Sequence, residues 1–287
     1  MIKIMADSTC DLSDEVLKKY NISLAPLTIN IDGKVYKDRI DLQPDEFYGM
    51  METLHEFPTT GMPNPSEYLT IINEAIKEGH KEILCICMSS GTSGSYQSAV
   101  LAKDYFYEEN PSSDVKIHVV DSKCMSHGSG WLTMKSAIMR EQGASFEEIV
   151  SFSEKYKIKI KHFLSVDDLD HLIKSGRLTN ASALIGKILM LKPIMTMKNG
   201  KGAIVGKERG LKRVLEHYTK EFIKRNDKNM TDFIIIGYTS DIKVAENLKI
   251  KLQLDTDFNG EIHIMQMGVS VGTHVGLGAI SMFFVEK

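Results

Sequence analysis

The chain has 287 residues, of which 43% are hydrophobic and 25% charged, and its net charge is −3. Such a length exceeds one average domain and suits two α/β domains, with enough apolar residues for a sizeable core. The charge excludes a global attraction to nucleic acid or an anionic membrane, and the best basic patch, Lys207 to Arg213, is diluted by Glu208 and Gly210.

In chain order, Ile2–Met5 reads as a short strand, and Ser13-Asp14-Glu15 opens a helix ending near Tyr20 and Asn21. Thr28–Lys37 alternates around Asp32-Gly33, a hairpin signal. One helix starts near Pro44. Another is announced by Asn64-Pro65-Ser66-Glu67 and runs to Gly79, a residue suited to ending it. Ile83–Met88 reads as a buried strand leading through Ser-Ser-Gly-Thr-Ser-Gly-Ser into a helix from about Tyr96 to Tyr107. Lys116–Val120 is a strand, Asp121-Ser122 leads to a helix through Trp131 and Met139, and Ser145-Phe146-Glu147-Glu148 is a capping box. Strands alternating with helices imply crossover units and a doubly wound parallel sheet.

The second half is less regular. His162–Val166 is a strand, followed by a short helix closed by Ser175-Gly176-Arg177. Ala181–Leu191 reads as an apolar helix stopped by Pro193, and Ile194–Val205 as a hairpin around Asn199-Gly200. A charged helix spans Leu211–Arg225, then come strand Phe233–Tyr238, a helix, strand Glu261–Met267 and a glycine-rich loop, 268–278. The domain boundary is expected near 160, giving segments 1–160 and 161–287.

No apolar stretch approaches the roughly 20 residues that span a bilayer, so no integral membrane segment is expected. The opening MIKIMADSTCDL turns polar at once, unlike a secretory leader. Of the four cysteines, Cys85 and Cys87 alternate on one face of an apolar run, as small buried hydrophobes would in a reducing cytoplasm. The nine histidines show no HxxxH or HExxH spacing, so no metal is expected.

Four segments place small polar residues or glycines at strand ends, where open α/β sheets bind ligands. They are Asp7-Ser8-Thr9, Thr59-Thr60-Gly61, Ser89 to Ser95, and Gly272 to Gly278. The serine-glycine loop meets a helix N-terminus, where free N–H groups favour an anion. It is neither a P-loop nor GxGxxG, so a carboxylate or single phosphate fits better than a triphosphate, and a capped turn without ligand is the plainer alternative. His274 between glycines can be presented without crowding and is read as functional. Arg177 by spacing alone reads as a cation at a helix C-terminus, with an anion clamp as the alternative. GxSxG is missing, so no hydrolase elbow is supported. The sixteen methionines, among them Met190, Met195, Met197, Met265 and Met267, suit either ordinary core filling or a pocket for a flexible apolar ligand.

Taken together, DSTCDL at 7–12, the threonine-proline loop at 59–65, SSGTSGSYQSA at 89–99, SGRLT at 175–179 and GTHVGLGA at 272–279 resemble the bacterial DegV family in order and spacing along nearly the whole chain. The resemblance implies an α/β fold of two domains. One is three-layered with a mostly parallel sheet, and the other is a smaller two-layer α/β domain. A palmitate-like long-chain fatty acid would lie between and within them, with no cofactor. Some members serve a bacterial fatty acid kinase, which phosphorylates the bound carboxylate for phospholipid synthesis. Carried over by motif, Ser93, Gly94 and either Thr59 or Thr60 hold the carboxylate, while His274, Gly276 and Gly278 add side-chain and backbone donors. The resemblance makes Arg177 the arginine near the arriving phosphoryl group, where it and His274 assist transfer on the partner kinase. This chain reads TTGMP for the family's TSQP-like loop, SGR for GGR, and Gly276-Leu277-Gly278 for glycine-proline-glycine. The protein itself is then not an enzyme. The rival expectations are a lipid carrier or sensor with no kinase partner, and a stand-alone small-molecule phosphotransferase or hydrolase.

Overall fold

The computed structural model describes residues 1–179 and 191–287. β1 (Ile2–Asp7) is followed by α1 (Asp14–Lys19), whose first turn is capped by the Ser13 hydroxyl accepting from Val16 N–H. β2 (Ile22–Ala25) returns beside β1. Only four residues long between Asn21 and Pro26, it offers too few positions for a readable period. β3 (Thr28–Ile31) and β4 (Lys34–Lys37) form the expected hairpin, with Asp32 and Gly33 at φ of 48° and 83°, as a type I′ turn requires. After α2 (Pro44–Met50), β5 (Thr59–Gly61) pairs with β3. The threonine segment expected as a loop is therefore partly a strand, held by backbone pairing that its own sequence does not announce.

α3 (Pro65–Lys77), β6 (Glu82–Cys87), α4 (Ser95–Glu109), β7 (Lys116–Asp121), α5 (His127–Glu141) and α6 (Phe146–Tyr156) complete the first half. The α6 capping box is formed in full by Ser145 and Glu148. The sheet runs β2-β1-β6-β7, all parallel. Successive side chains of a strand face opposite sides. Met5, Ile83 and Cys85 accordingly pack on Tyr68 and Ile72 of α3 and Phe106 of α4. Ile4, Leu84 and Ile86 pack on Trp131 and Leu132 of α5 and Ile149 of α6. Three layers result, with both faces covered as a parallel sheet demands. All four cysteines are free and buried.

The second half contains β8 (Ile160–Ser165), α7 (Asp170–Lys174), β9 (Leu191–Lys198), β10 (Lys201–Arg209), α8 (Leu211–Arg225), β11 (Phe233–Tyr238), α9 (Ile242–Asp255), β12 (Glu261–Gln266), α10 (Val269–Val275) and β13 (Ile280–Val285). Its sheet runs β10-β9-β8-β13-β11-β12, antiparallel except where β11 meets β12. α8 and α9 cover one face through Val214, Phe222, Leu248 and Leu252. α5 approaches the other, where Trp131 stacks on Phe233 at 4.9 Å and its Nε1 donates to the Phe233 carbonyl at 3.0 Å. One helix thus lies between the two sheets. Among the described residues no helix is long and apolar enough to cross a membrane.

Three further expectations change. Residues 181–190 of the expected apolar helix lie outside the described residues, while Leu191 and Pro193 belong to β9. Proline is tolerated there because β9 pairs along β10 but meets β8 only at Leu164↔Met195. β13 went unanticipated, since all six of its residues are buried and carry no alternation. The glycine-rich loop is largely α10, in which Gly272 permits close packing on Tyr48: a Cβ there would stand 2.5 Å from the Tyr48 hydroxyl.

Candidate functional site

The ends of β1 and β6, the start of α4, strand β5, the turn after α7 and helix α10 converge on a cavity of about 220 Å³. Asp7 ties two of these pieces together. Its buried carboxylate accepts from Met88 N–H at 2.8 Å and from Thr9 N–H at 3.2 Å, setting Thr9 and Met88 into the wall. Burial pushes the Asp7 carboxyl up, against the pull of these hydrogen bonds.

In the serine-glycine loop, most hydroxyls serve the loop itself. Ser89 donates to Gly200 O at 2.6 Å, Thr92 to Ser89 O at 3.0 Å, and Ser90 to Asp121. Ser93 faces the cavity. Its oxygen accepts from Ser95 N–H at 3.2 Å at the N-terminus of α4, and its hydroxyl donates to Ser95 Oγ at 3.3 Å. Gly94 also lines the cavity, and a Cβ there would overlap the Met62 thioether.

β5 separates the two threonines. Thr59 is exposed, and Thr60 faces the cavity, where its hydroxyl lies 2.8 Å from His274 Nε2. His274 therefore sits on a helix and not on an open loop. Burial, with Arg177 and His171 nearby, lowers its pKa to about 4, so the ring is neutral at pH 7. Among the described residues its Nδ1 has no hydrogen-bond partner.

Arg177 reaches the cavity through a Schellman motif at the end of α7. Gly176, at φ 71°, donates to Ile173 O at 3.1 Å, and Arg177 N–H donates to Leu172 O at 3.2 Å. The Arg177 guanidinium also donates to the Ser175 carbonyl. Helix termination and cavity placement are thus one geometry.

The structure does not bring Gly276 and Gly278 to the cavity as donors. Gly276 N–H donates to Gly272 O at 2.9 Å, and Gly278 N–H to Ser240 Oγ at 3.0 Å. Both donors expected from that segment are spent inside the fold. Ser270, given no role by the sequence reading, and Thr9 of the strand-end segment Asp7-Ser8-Thr9 line the wall instead.

Behind the polar chamber lies a narrower apolar one of about 40 Å³, sharing Met125, Arg177, Val271 and Val275 as walls. Met195, Met197 and Met267 line it, whereas Met265 packs in the core beside α5 and Met190 lies outside the described residues.

The model of the uncharacterised DegV family proteins matches residues 1–287. The chain belongs to the DegV family. A DegV domain-containing protein of Clostridium acetobutylicum is 35% identical over 286 residues, covering 100% of this chain and 99% of that one. Among solved structures, a DegV family protein of Thermus thermophilus, described for its fatty acid binding, superposes with a TM-score of 0.89 at 27% identity and covers 100% of this chain and 99% of its own. The Fatty Acid Kinase B3 protein of Streptococcus pneumoniae, loaded with linoleic acid, gives 0.85 at 26% identity, covering 100% of both chains. This chain therefore shares the DegV fold with these two solved structures.

Proposed function

We propose that this DegV family chain binds one long-chain fatty acid and presents its carboxylate to an ATP-dependent fatty acid kinase. The adjacency of the two chambers carries the reading: hydroxyls and a cation converge beside a methionine-lined apolar space. Each CH₂ removed from water contributes about 0.8 kcal/mol, so the chain supplies most of the affinity. The carboxylate, losing its hydration, needs donors. Ser93, turning its O–H away from Ser95 Oγ, and Thr60 supply them, and a proton on His274 Nε2 directed at the Thr60 oxygen frees the threonine O–H for the ligand. Arg177 offsets the negative charge and stabilises the phosphoryl group arriving on a carboxylate oxygen, and His274 assists by fixing the Thr60 hydroxyl on that carboxylate. Nucleotide and metal stay on the partner.

The relatives' described ligands support the acid, and the Streptococcus pneumoniae protein's name supports the kinase. We also propose a division into 1–160 and 161–287, with β8 opening the second sheet at Ile160, and the cytoplasm as compartment, in keeping with four unbridged thiols.

Arg177→Ala and His274→Ala test the presenting role. Both are expected to retain a bound acid and to lower kinase-dependent acyl phosphate formation, Arg177→Ala by about 100-fold or more through lost transition-state charge stabilisation and His274→Ala less, through a misplaced carboxylate. Unchanged phosphorylation in both variants would overturn that role and leave a carrier.

A further inference from the structure

Helix α10 ends at Val275, so the carbonyls of its last turn, which carries His274, find no donor four residues on within the helix. Thr273 is one of these residues, and it is buried. Its donor comes from another helix. His171 of α7 places Nδ1 3.0 Å from the Thr273 carbonyl oxygen. A carbonyl can only accept, so the His171 proton sits on Nδ1, and the ring caps the C-terminus of α10 from outside.

The same ring touches the neighbouring pieces of the site, although it is not itself part of the cavity lining. At Gly276 a φ of 74° turns the chain past its other edge, where a Cβ would stand 3.2 Å from Cδ2. Phe57, just ahead of β5, meets the ring edge-on at 4.5 Å and 65°. Lys174, further along α7, holds its ammonium 3.4 Å from the Phe57 ring centroid. α7 itself ends in the turn that delivers Arg177 to the cavity. One side chain thus joins the elements that carry Thr60, Arg177 and His274.

A helix end whose carbonyls lose their donors frays. Fraying of this turn would draw His274 Nε2 away from the Thr60 hydroxyl, which it meets at 2.8 Å. Taking the ligand from the fatty acid reading above, we propose that His171 is a positioning residue. Its bond to the Thr273 carbonyl fixes the last turn of α10 and, through His274, sets the Thr60 hydroxyl on the ligand carboxylate.

Two variants of the delipidated full chain separate the bond from the ring. His171→Phe keeps a ring against Phe57 and removes the donor. His171→Asn loses the ring and places an amide N–H where Nδ1 stood. With stearic acid as probe, His171→Phe should weaken binding about fivefold, the size of one hydrogen bond, and His171→Asn should stay within about twofold of the natural chain. On a His274→Ala background, His171→Phe should weaken binding no further, because the effect passes through His274. In 15N NMR the His274 ring, with its pKa at about 4 in the natural chain, should titrate nearer 6.5 in His171→Phe as water reaches it, and stay low in His171→Asn. Both variants remove the His171 ring and keep Arg177, the cation beside His274, so the difference between them reports the bond. Equal losses in the two variants, or a further loss on the His274→Ala background, would overturn the proposal. Should His171→Phe fail to fold, the 15N spectrum of the natural chain decides, and a proton on His171 Nε2 instead of Nδ1 would overturn it. A natural chain that binds no stearic acid would remove the fatty acid reading, while the His274 titration would still show whether His171 holds the turn.

Discussion

Two glycine-containing segments border the same cavity and use their glycines in opposite ways. In the stretch from Ser89 to Ser95, Gly94 lies at the cavity wall with Met62 against it, and Ser93 faces the cavity beside it. From Gly268 to Gly278, the glycines let a short helix press on Tyr48 and let the chain turn beside His171 and Asp167, and their N–H groups are satisfied internally. That segment offers the cavity side chains: His274, Ser270 and Val271. A run of glycines at a strand end therefore marks close backbone approach, and only the hydrogen-bond inventory tells whether a ligand or the protein itself is approached.

The largest expected effect concerns the packed segment. His274 has its folded pKa at about 4, below the ordinary 6.5, so the unfolded chain takes up its proton first as pH falls. The stability it contributes is present above pH 6.5 and is lost as pH drops towards 4, on the order of 3 kcal/mol. His274→Asn should flatten that part of the urea-unfolding profile of the delipidated protein. An unchanged profile would mean an exposed ring on an open loop.

Next, Gly272→Ala should cost about 1–3 kcal/mol in the same unfolding measurement, since its methyl meets a Tyr48 hydroxyl that donates to Met267 O at 2.9 Å. Gly94→Ala meets only the movable end of Met62 and should cost less stability while reducing acid affinity. Equal stability losses would erase the contrast between the segments.

The smallest effects are at the hydroxyls. Ser93→Ala and Thr60→Val should each weaken fatty acid binding about tenfold in a fluorescence competition assay. Thr59→Val, on the outward face of β5, should change nothing measurable. A larger effect at Thr59 than at Thr60 would reverse the assignment.

Much of this arrangement was legible from residues alone. The parallel sheet followed from strand–helix alternation, and the capping box at Ser145 and the turns at Asp32-Gly33 and Asn199-Gly200 carry local instructions that the fold obeys. The serine-glycine loop stood out because a strand-to-helix loop is a local pattern, whereas Arg177 read by spacing alone as a helix C-terminal cation, and its site role, like that of Ser93, came from the family resemblance. What depends on partners distant in the chain was hidden. β5 exists because β3 accepts it, α10 because Tyr48 leaves room for Gly272, and the choice of Thr60 over Thr59 follows from which side of β5 meets α10. Thr9 reaches the wall through Asp7 and its bond to Met88, 81 residues away. No spacing rule reports such a contact.

The most direct test of the central claim is native mass spectrometry of the protein purified from bacterial cells, followed by denaturation and lipid extraction. The account predicts a stoichiometric added mass that denaturation releases as a long-chain fatty acid. A protein that carries no lipid and takes up none when long-chain acids are added would contradict it.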